Sequence, residues 1–526
     1  MAPRFIILLT LFSTVQAIGS DAAQDDGNFC EIEASNCPVA TAKDFGSTTN
    51  KCFRAAILET DRVDEISGYA SALTNLKIFD QAAKLAANHG ANIIVFPENG
   101  IFSGLKETVI ETIQEIPDPD SLSNGTINPC LSPSEFKSYI LTNLSCIARK
   151  YNLYLVANFG TKQPCEFQSR VGSKICPEIG YFALNTDVVF DSDGNFIKRY
   201  RKYNMFIENF DQAPSLEEIY FDSPFGRFGI FTCFDILFKQ PAIDLVEKYA
   251  INTAIFPTFW YDELPLLSAI NFQDAWSLTH KVNLLAANIH RPAIGSVGSG
   301  IYSGDNMIFT GAFNRGRRLI VASLPAQRSS NTECSSKFNP VIIDIESGLN
   351  ESDYSHKHYD ILASDTVSPI EDASGEKTIK SGELTCSIKY RTKLEKLGQE
   401  AGRLVVIARD SLRQGRFNWY EQLCVLATLK SPLNALDLKE NLFSTEGIID
   451  FEELSLTATF NTRYVYPIAN HNVSELVDRK DRQFSCDQHE GEDVFRCTMN
   501  LSPRQSRQTT ILSFGLYGRV HERDQM

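Results

Sequence analysis

Between about residues 50 and 300 the chain alternates helical with strand-like hydrophobic patterning. Residues 69–89 place Leu73, Leu76, Phe79, Ala83 and Ala86 three and four apart, the spacing of one helix face, and Gly90 supplies a stop. The run ANIIVF at 91–96 is short and continuously apolar, which suits a strand buried on both faces. Ser132-Pro133-Ser134-Glu135 has the form of a helix start: a capping hydroxyl, a proline in the first turn and a carboxylate to reach back. Phe136, Tyr139, Ile140, Leu144 and Ile147 would form that helix's inner stripe, and LYLVAN at 153–158 gives the next strand. ALNTDVVF and NFIKRYRK flank Asp191-Ser192-Asp193-Gly194, a hairpin signal. FGIFTC predicts a strand followed by a helix over about 241–249. TAIFPT predicts another strand, and a helix over about 266–281 leads into the strand NLLAANI. Strands separated by helices predict an α/β layered domain, and the hairpin makes its sheet mixed.

Beyond about residue 330 the pattern changes. LTCSIKY, LVVIARD, QLCVLATLK, LSLTATF and TILSFGLYG are short, β-prone and separated by polar loops, which predicts a smaller, mostly β second domain. The Ser-, Asp-, Glu- and His-rich stretch 350–382 reads as a surface excursion or linker. The expected division is a leader at 1–17, an α/β domain over 50–330 and a β-rich domain over 335–526.

Composition bears on compartment and partners. Arg4, the apolar run Phe5 to Phe12 and Val15-Gln16-Ala17 fit a secretory signal peptide. No later run reaches the ~18 apolar residues of a membrane span, and the final residues lack the hydrophobic tail of a lipid-anchor signal. A secreted, extracellular protein is expected. Asn124, Asn143, Asn350, Asn472 and Asn500 head glycosylation sequons. The 65 acidic residues outnumber the 50 basic ones, which argues against nucleic acid or an anionic membrane as the main partner. Thirteen cysteines fit an oxidising compartment. Cys165 and Cys176 flank a polar loop, Cys486 and Cys497 share that spacing, and Cys386 and Cys424 lie on separate β-like segments. Six pairs allow many connectivities, and these three pairings are candidates among them.

Three places at or near strand ends carry candidate chemistry. In FPENG, Glu98 lies just past a strand end, where shielding would raise its pKa and fit it to act as a base. Taken alone, a solvated loop glutamate or a cap is the plainer reading, because a lone strand-end acid is a weak signal. In FIKRYRKYNMF, Lys198, Tyr200 and Lys202 share one face of a strand and Arg199 and Arg201 the other. Lys202 could stabilise charge on a reacting oxygen, and an exposed basic strand is the plainer alternative. In RFGIFTCFDILF, Cys233 stands at a strand-to-turn step that would expose a nucleophile and aim the Phe234 N–H at an oxyanion. A buried small residue or half of a disulfide is the alternative there. The odd cysteine count leaves one thiol over, although an intermolecular bridge would also resolve it. Together the three supply an acid–base group, a cation and a thiol, the requirements of thiol catalysis.

The ordered set FPENG, RYRKYN and GIFTCFDILF resembles the nitrilase, or carbon–nitrogen hydrolase, superfamily, and more narrowly its vanin (pantetheinase) and biotinidase branch. VANFGTKQPC, LNTDVVFDSDG, FPTFW, LPLLSAINFQDAW and AANIH leading to GSGIY add to the likeness, which covers most of residues 50–305. The resemblance implies a four-layer α-β-β-α sandwich with the site at strand ends. It implies a catalytic Glu98, Lys202 and Cys233, an oxyanion held by Lys202 and the Phe234 N–H, and no metal or organic cofactor. It implies hydrolysis of a small linear amide through a cysteine acyl-enzyme, with pantetheine giving pantothenate and cysteamine. A biotin-amide hydrolase and a catalytically inactive secreted binding protein on the same fold are the alternatives. Trp260, in FPTFW, is either core or pocket wall. His280 and His290 open a papain-like alternative, but the residues around Cys233 lack that family's signature. The eight histidines show no metal-ligand spacing, and His356 and His358 fall in a polar loop.

Overall fold

Alternation along the strands builds the first domain. Ala55 and Ile57, Ile93 and Val95, and Val156 point to one side of their sheet, whereas Ala56 and Leu58, Ile94 and Phe96, and Leu155 and Ala157 point to the other. The molecule is a computed structural model that describes residues 52–102, 112–121, 127–327, 334, 338–346, 353–358, 361–362, 364–414, 418–432, 443–489, 493–502 and 509–525. The expected leader at 1–17, Asn124 and Asn350 lie outside the described residues.

The first sheet orders its main strands Val341–Glu346, Arg317–Pro325, Cys52–Glu59, Ile93–Val95, Tyr154–Pro164, Tyr181–Phe190 and Phe196–Arg201. Cys52–Glu59, Ile93–Val95 and Tyr154–Pro164 run parallel. Tyr181–Phe190 and Phe196–Arg201 form the expected antiparallel hairpin. The second sheet orders Asn306–Phe309, Gly300–Ser303, Asn283–Asn288, Thr253–Thr258, Gly226–Ile230 and Tyr220–Ser223. The two sheets face each other across an apolar layer that includes Phe53, Val95, Val156, Phe228, Ile230, Ile255, Leu285 and Ile301. Helices Gly68–Asn88 and Tyr139–Tyr151 cover the outer face of the first sheet, and helix Ala269–His280 covers that of the second. This is the four-layer α-β-β-α sandwich.

Two local expectations shift. Pro133–Glu135 makes only a 3-10 turn, and the helix starts at Tyr139, where the Ser138 Oγ accepts from the Leu141 N–H at 3.1 Å. Ser132 offers no such bond, so the cap falls to the serine whose hydroxyl reaches an N-terminal amide. The stretch 350–382 is more than a linker: it contributes strands Thr366–Ile370 and Ser374–Ser381.

The C-terminal part is an antiparallel β-sandwich with its own apolar layer. One sheet holds Leu404–Arg413, Trp419–Thr428, Ser513–Arg519 and Val465–Asn472. The other holds Leu384–Thr392, Phe451–Phe460, Phe495–Leu501 and Arg482–Gln488. The Cys386–Cys424 disulfide staples the two sheets together. Cys486–Cys497 bridges adjacent strands, and Cys165–Cys176 closes a loop. Cys52–Cys334 and Cys130–Cys146 are also bonded. Among the described residues Cys233 is the free cysteine. The sandwich packs its Tyr466, Ile468 and Tyr517 against Phe272 and Trp276, so helix Ala269–His280 lies in one continuous core between the two parts.

Candidate active site

The geometry at Cys233 follows from the end of strand Gly226–Ile230. The chain turns sharply there into Cys233–Leu237, and Cys233 takes φ +48°, a conformation few non-glycine residues adopt. Asp235 holds the turn. Its carboxylate accepts from Thr232 N–H at 3.0 Å, Tyr200 OH at 2.7 Å, Asn204 N–H at 2.9 Å and Asn204 Nδ2 at 2.8 Å. All four donors are buried with it, so the strained step is pinned from both sheets.

Glu98 stands three residues past strand Ile93–Val95 and is 1 % exposed. Its Oε1 accepts from Lys202 Nζ at 2.8 Å and Asn185 Nδ2 at 2.7 Å, and its Oε2 from Phe259 N–H at 2.8 Å. Burial, with the charge of Glu208 adding to it, raises this carboxylate above the usual range, against the opposing pull of Lys202. Lys202 follows strand Phe196–Arg201 and is equally buried. It also donates to Glu208, whose other oxygen takes the Phe206 N–H at 2.7 Å. Burial alone would push Lys202 down, but its two carboxylates together outweigh that and raise it, so it stays an ammonium. The Cys233 thiol is raised chiefly by burial, then by the nearby Glu98 charge, with Lys202 acting in the opposite sense. The thiol therefore senses both partners and rests protonated.

A polar seam runs through the apolar inter-sheet layer. Asn158 Nδ2 donates to Asn185 Oδ1 and Asp187 Oδ1, both at 2.7 Å, and its Oδ1 accepts from Asn99 N–H at 2.9 Å. Asp187 accepts in turn from Thr232 Oγ1. Hydrogen bonds thus connect Glu98 to the residue before Cys233. Desolvation pushes the Asp187 carboxyl up to about 7.

A cavity of about 180 Å³ opens onto Cys233. Phe234, Phe259, Trp260, Tyr261 and Trp419 are among its walls, the last from the β-sandwich. Trp260 is both wall and core: its ring stacks on Phe272 at 6.1 Å and its Nε1 donates to Leu267 O at 2.8 Å. The Phe234 ring packs against Phe206, Phe238 and Trp419. His280 and His290 do not line this cavity. His280 reaches Tyr466 OH at 3.3 Å and His290 pairs with Glu59 at 3.1 Å. Among the described residues no group of three or more His, Cys, Asp or Glu side chains is placed to hold a metal ion. Asn143, Asn472 and Asn500 are each half-buried, and the Asn500 Oδ1 accepts from Ser455 at 2.6 Å.

Residues 55–263 match the carbon–nitrogen hydrolase family, and residues 354–524 match the vanin C-terminal domain. The pantetheinase of Sus scrofa is 33 % identical over 513 residues, covering 94 % of this chain and 91 % of that protein. The pantetheinase of Homo sapiens is 33 % identical over 463 residues, covering 86 % and 83 %. The biotinidase of Homo sapiens is 32 % identical over 495 residues, covering 86 % and 84 %. The chain belongs to the vanin and biotinidase branch of the carbon–nitrogen hydrolases. It is an amide hydrolase.

In this carbon–nitrogen hydrolase, sequence reasoning missed Glu208, Asn185, Asp187 and Asp235. Glu208 lies six residues beyond Lys202 in a stretch without periodicity. A second acid close after a strand-end lysine was its only signal. Asn185 and Asp187 sit two apart on one strand, so they share a face, and polar residues on an inward face were readable as a buried seam.

Proposed function

We propose that this hydrolase cleaves pantetheine to pantothenate and cysteamine through an acyl-enzyme on Cys233. The observation that carries the reading is the meeting of Glu98, Lys202 and Cys233, from three separate strand ends, at one buried site beside the cavity. Because the thiol rests protonated, the base must act during attack. Glu98 takes the thiol proton as the sulfur adds to the amide carbonyl. The oxygen charge that develops falls to the Lys202 ammonium and the Phe234 N–H. The C–N bond then breaks as Glu98 returns the proton to the departing amine. Water attacks the thioester with Glu98 again as base, which releases the acid and restores the thiol. Glu208 keeps Lys202 charged and in place while Glu98 cycles between protonation states. Trp260 and its aromatic neighbours would hold the acyl arm.

A catalytically silent binding role gains no support, since the acid, the cation and the free thiol are all retained. An extracellular setting is supported by five disulfides among the described residues, together with the leader pattern at the N-terminus. The substrate is tested by incubating the purified protein with pantetheine and with biotinyl-lysine. Faster turnover of pantetheine is expected. Preference for biotinyl-lysine would reassign the substrate, and cleavage of neither would remove both assignments.

A further inference from the structure

The cavity beside Cys233 has a charged rim that the hydrolytic mechanism leaves unused. Three ionic side chains line it: Glu263, Arg413 and Lys357. Arg413 comes from the β-sandwich and donates to Glu263, so these two neutralise each other, and its guanidinium lies over the Trp419 ring at 5.0 Å. Lys357 is exposed and makes no ion pair among the described residues. Its Nζ instead sits over the rings of Tyr261, at 5.1 Å, and Phe206, at 5.7 Å. Both rings belong to cavity residues. An ammonium lodged on aromatic faces is partly stripped of water and keeps donors available.

The backbone fixes where that ammonium stands. Lys357 pairs in register with Glu263, and its N–H donates to Asp262 O at 2.9 Å. Ser355 N–H donates to Pro292 O at 2.8 Å, and Tyr354 OH to Asp262 Oδ2 at 2.7 Å. Asp262 itself caps helix Ala269–His280 through Ala269 N–H at 2.7 Å. The strap that carries Lys357 is thus stitched to the loop that follows the cavity's aromatic wall.

We infer that Lys357 is a specificity-determining residue, whose ammonium holds an oxygen acceptor on the acyl arm of the amide. This rests on the amidase reading above. The amine released in that reaction is short, whereas the acyl arm is long and hydroxylated, so the arm that remains on sulfur is the one that needs the cavity. Its hydroxyl and carbonyl oxygens are acceptors for a fixed donor, and the apolar walls hold the chain between. The paired Glu263 and Arg413 add no net charge, so a neutral arm enters without an unmatched ion opposite it.

The test compares kcat/KM for pantetheine and for an acyl-cysteamide of the same chain length without the two hydroxyls. Wild type, Lys357→Met and Lys357→Arg are each assayed. Methionine keeps an unbranched stem over Tyr261 and Phe206 but removes the donors. Wild type is expected to prefer the hydroxylated amide by about 10–100-fold, the scale of a hydrogen bond to a charged group. In Lys357→Met that ratio should collapse toward one, mainly through KM, and Lys357→Arg should restore most of it. A ratio unchanged in Lys357→Met, or equal losses on both amides, would overturn the inference while the amidase reading stands. Wild-type protein that cleaves neither amide would overturn that reading and the inference with it.

Discussion

Burial at Cys233 works against thiolate formation, so catalytic power has to come from the group that takes the proton. That places the demand on Glu98. Substituting Glu98→Gln keeps the shape but removes the base, and kcat should fall by about 10²–10⁴. Because the Glu98 carboxyl is held above the usual range, kcat/KM should decline on acidification with a midpoint above ~4.3. A pH–rate profile flat down to pH 4 would show that Glu98 does not carry the proton. Asp187 makes a separate claim about stability. Its folded pKa of about 7 stands above the ~3.9 of an unfolded aspartate, so across that window the folded chain keeps a proton that the unfolded chain has lost. The associated stability is full below about pH 4, drains away as pH rises to about 7 and is level above that. The denaturant midpoint of wild type minus that of Asp187→Asn should therefore fall between pH 4 and 7. A difference that stays flat over this range would mean that Asp187 is already ionised in the fold.

Elements decide where those residues stand. The turn after Gly226–Ile230 puts a non-glycine residue at positive φ and holds it there with the four bonds to Asp235. Asp235→Ala would leave four buried donors without their acceptor and let the turn relax. A small displacement of the sulfur is enough to cost about 100-fold, so kcat should fall on that order. Unchanged kcat would mean that the turn needs no anchor. Much of this was legible in the sequence: apolar runs marked the strands, and their ends marked Glu98, Lys202 and Cys233. What escaped was polar chemistry inside elements. Asn185 and Asp187 lie in a run read as plain β pattern, and Asp235 sits in a turn where an acid usually means solvent. Ser132 and Ser138 show the same limit, since both offer a hydroxyl and only the fold determines which one meets a free amide.

At the scale of the molecule, helix Ala269–His280 explains the second domain's place. Its residues Ala269 to Ser277 are buried without interruption, with the polar side chains of Asn271, Gln273 and Asp274 among them. Asn271 donates to Pro265 O and Gln273 to Gly298 O within the first domain, and the β-sandwich supplies the partners of Asp274. Asp274 receives Arg479 Nε at 2.7 Å and also Arg482, an ion cluster buried between the two parts. Asp274→Ala would strand two buried guanidinium groups, and unfolding should be easier by about 3–5 kcal/mol in denaturant melts. A change below about 1 kcal/mol would show that this contact is dispensable. The same docking brings Trp419 and Arg413 to the cavity, so the sandwich helps to build the pocket. The claim on which the functional account rests is covalent attachment to one sulfur, and the mass of the intact protein after a brief pulse of pantetheine tests it most directly. The account predicts a transient gain equal to the pantothenoyl group, located on Cys233 and absent from Cys233→Ser. Turnover with no such adduct, or an adduct that persists in Cys233→Ser, would contradict it.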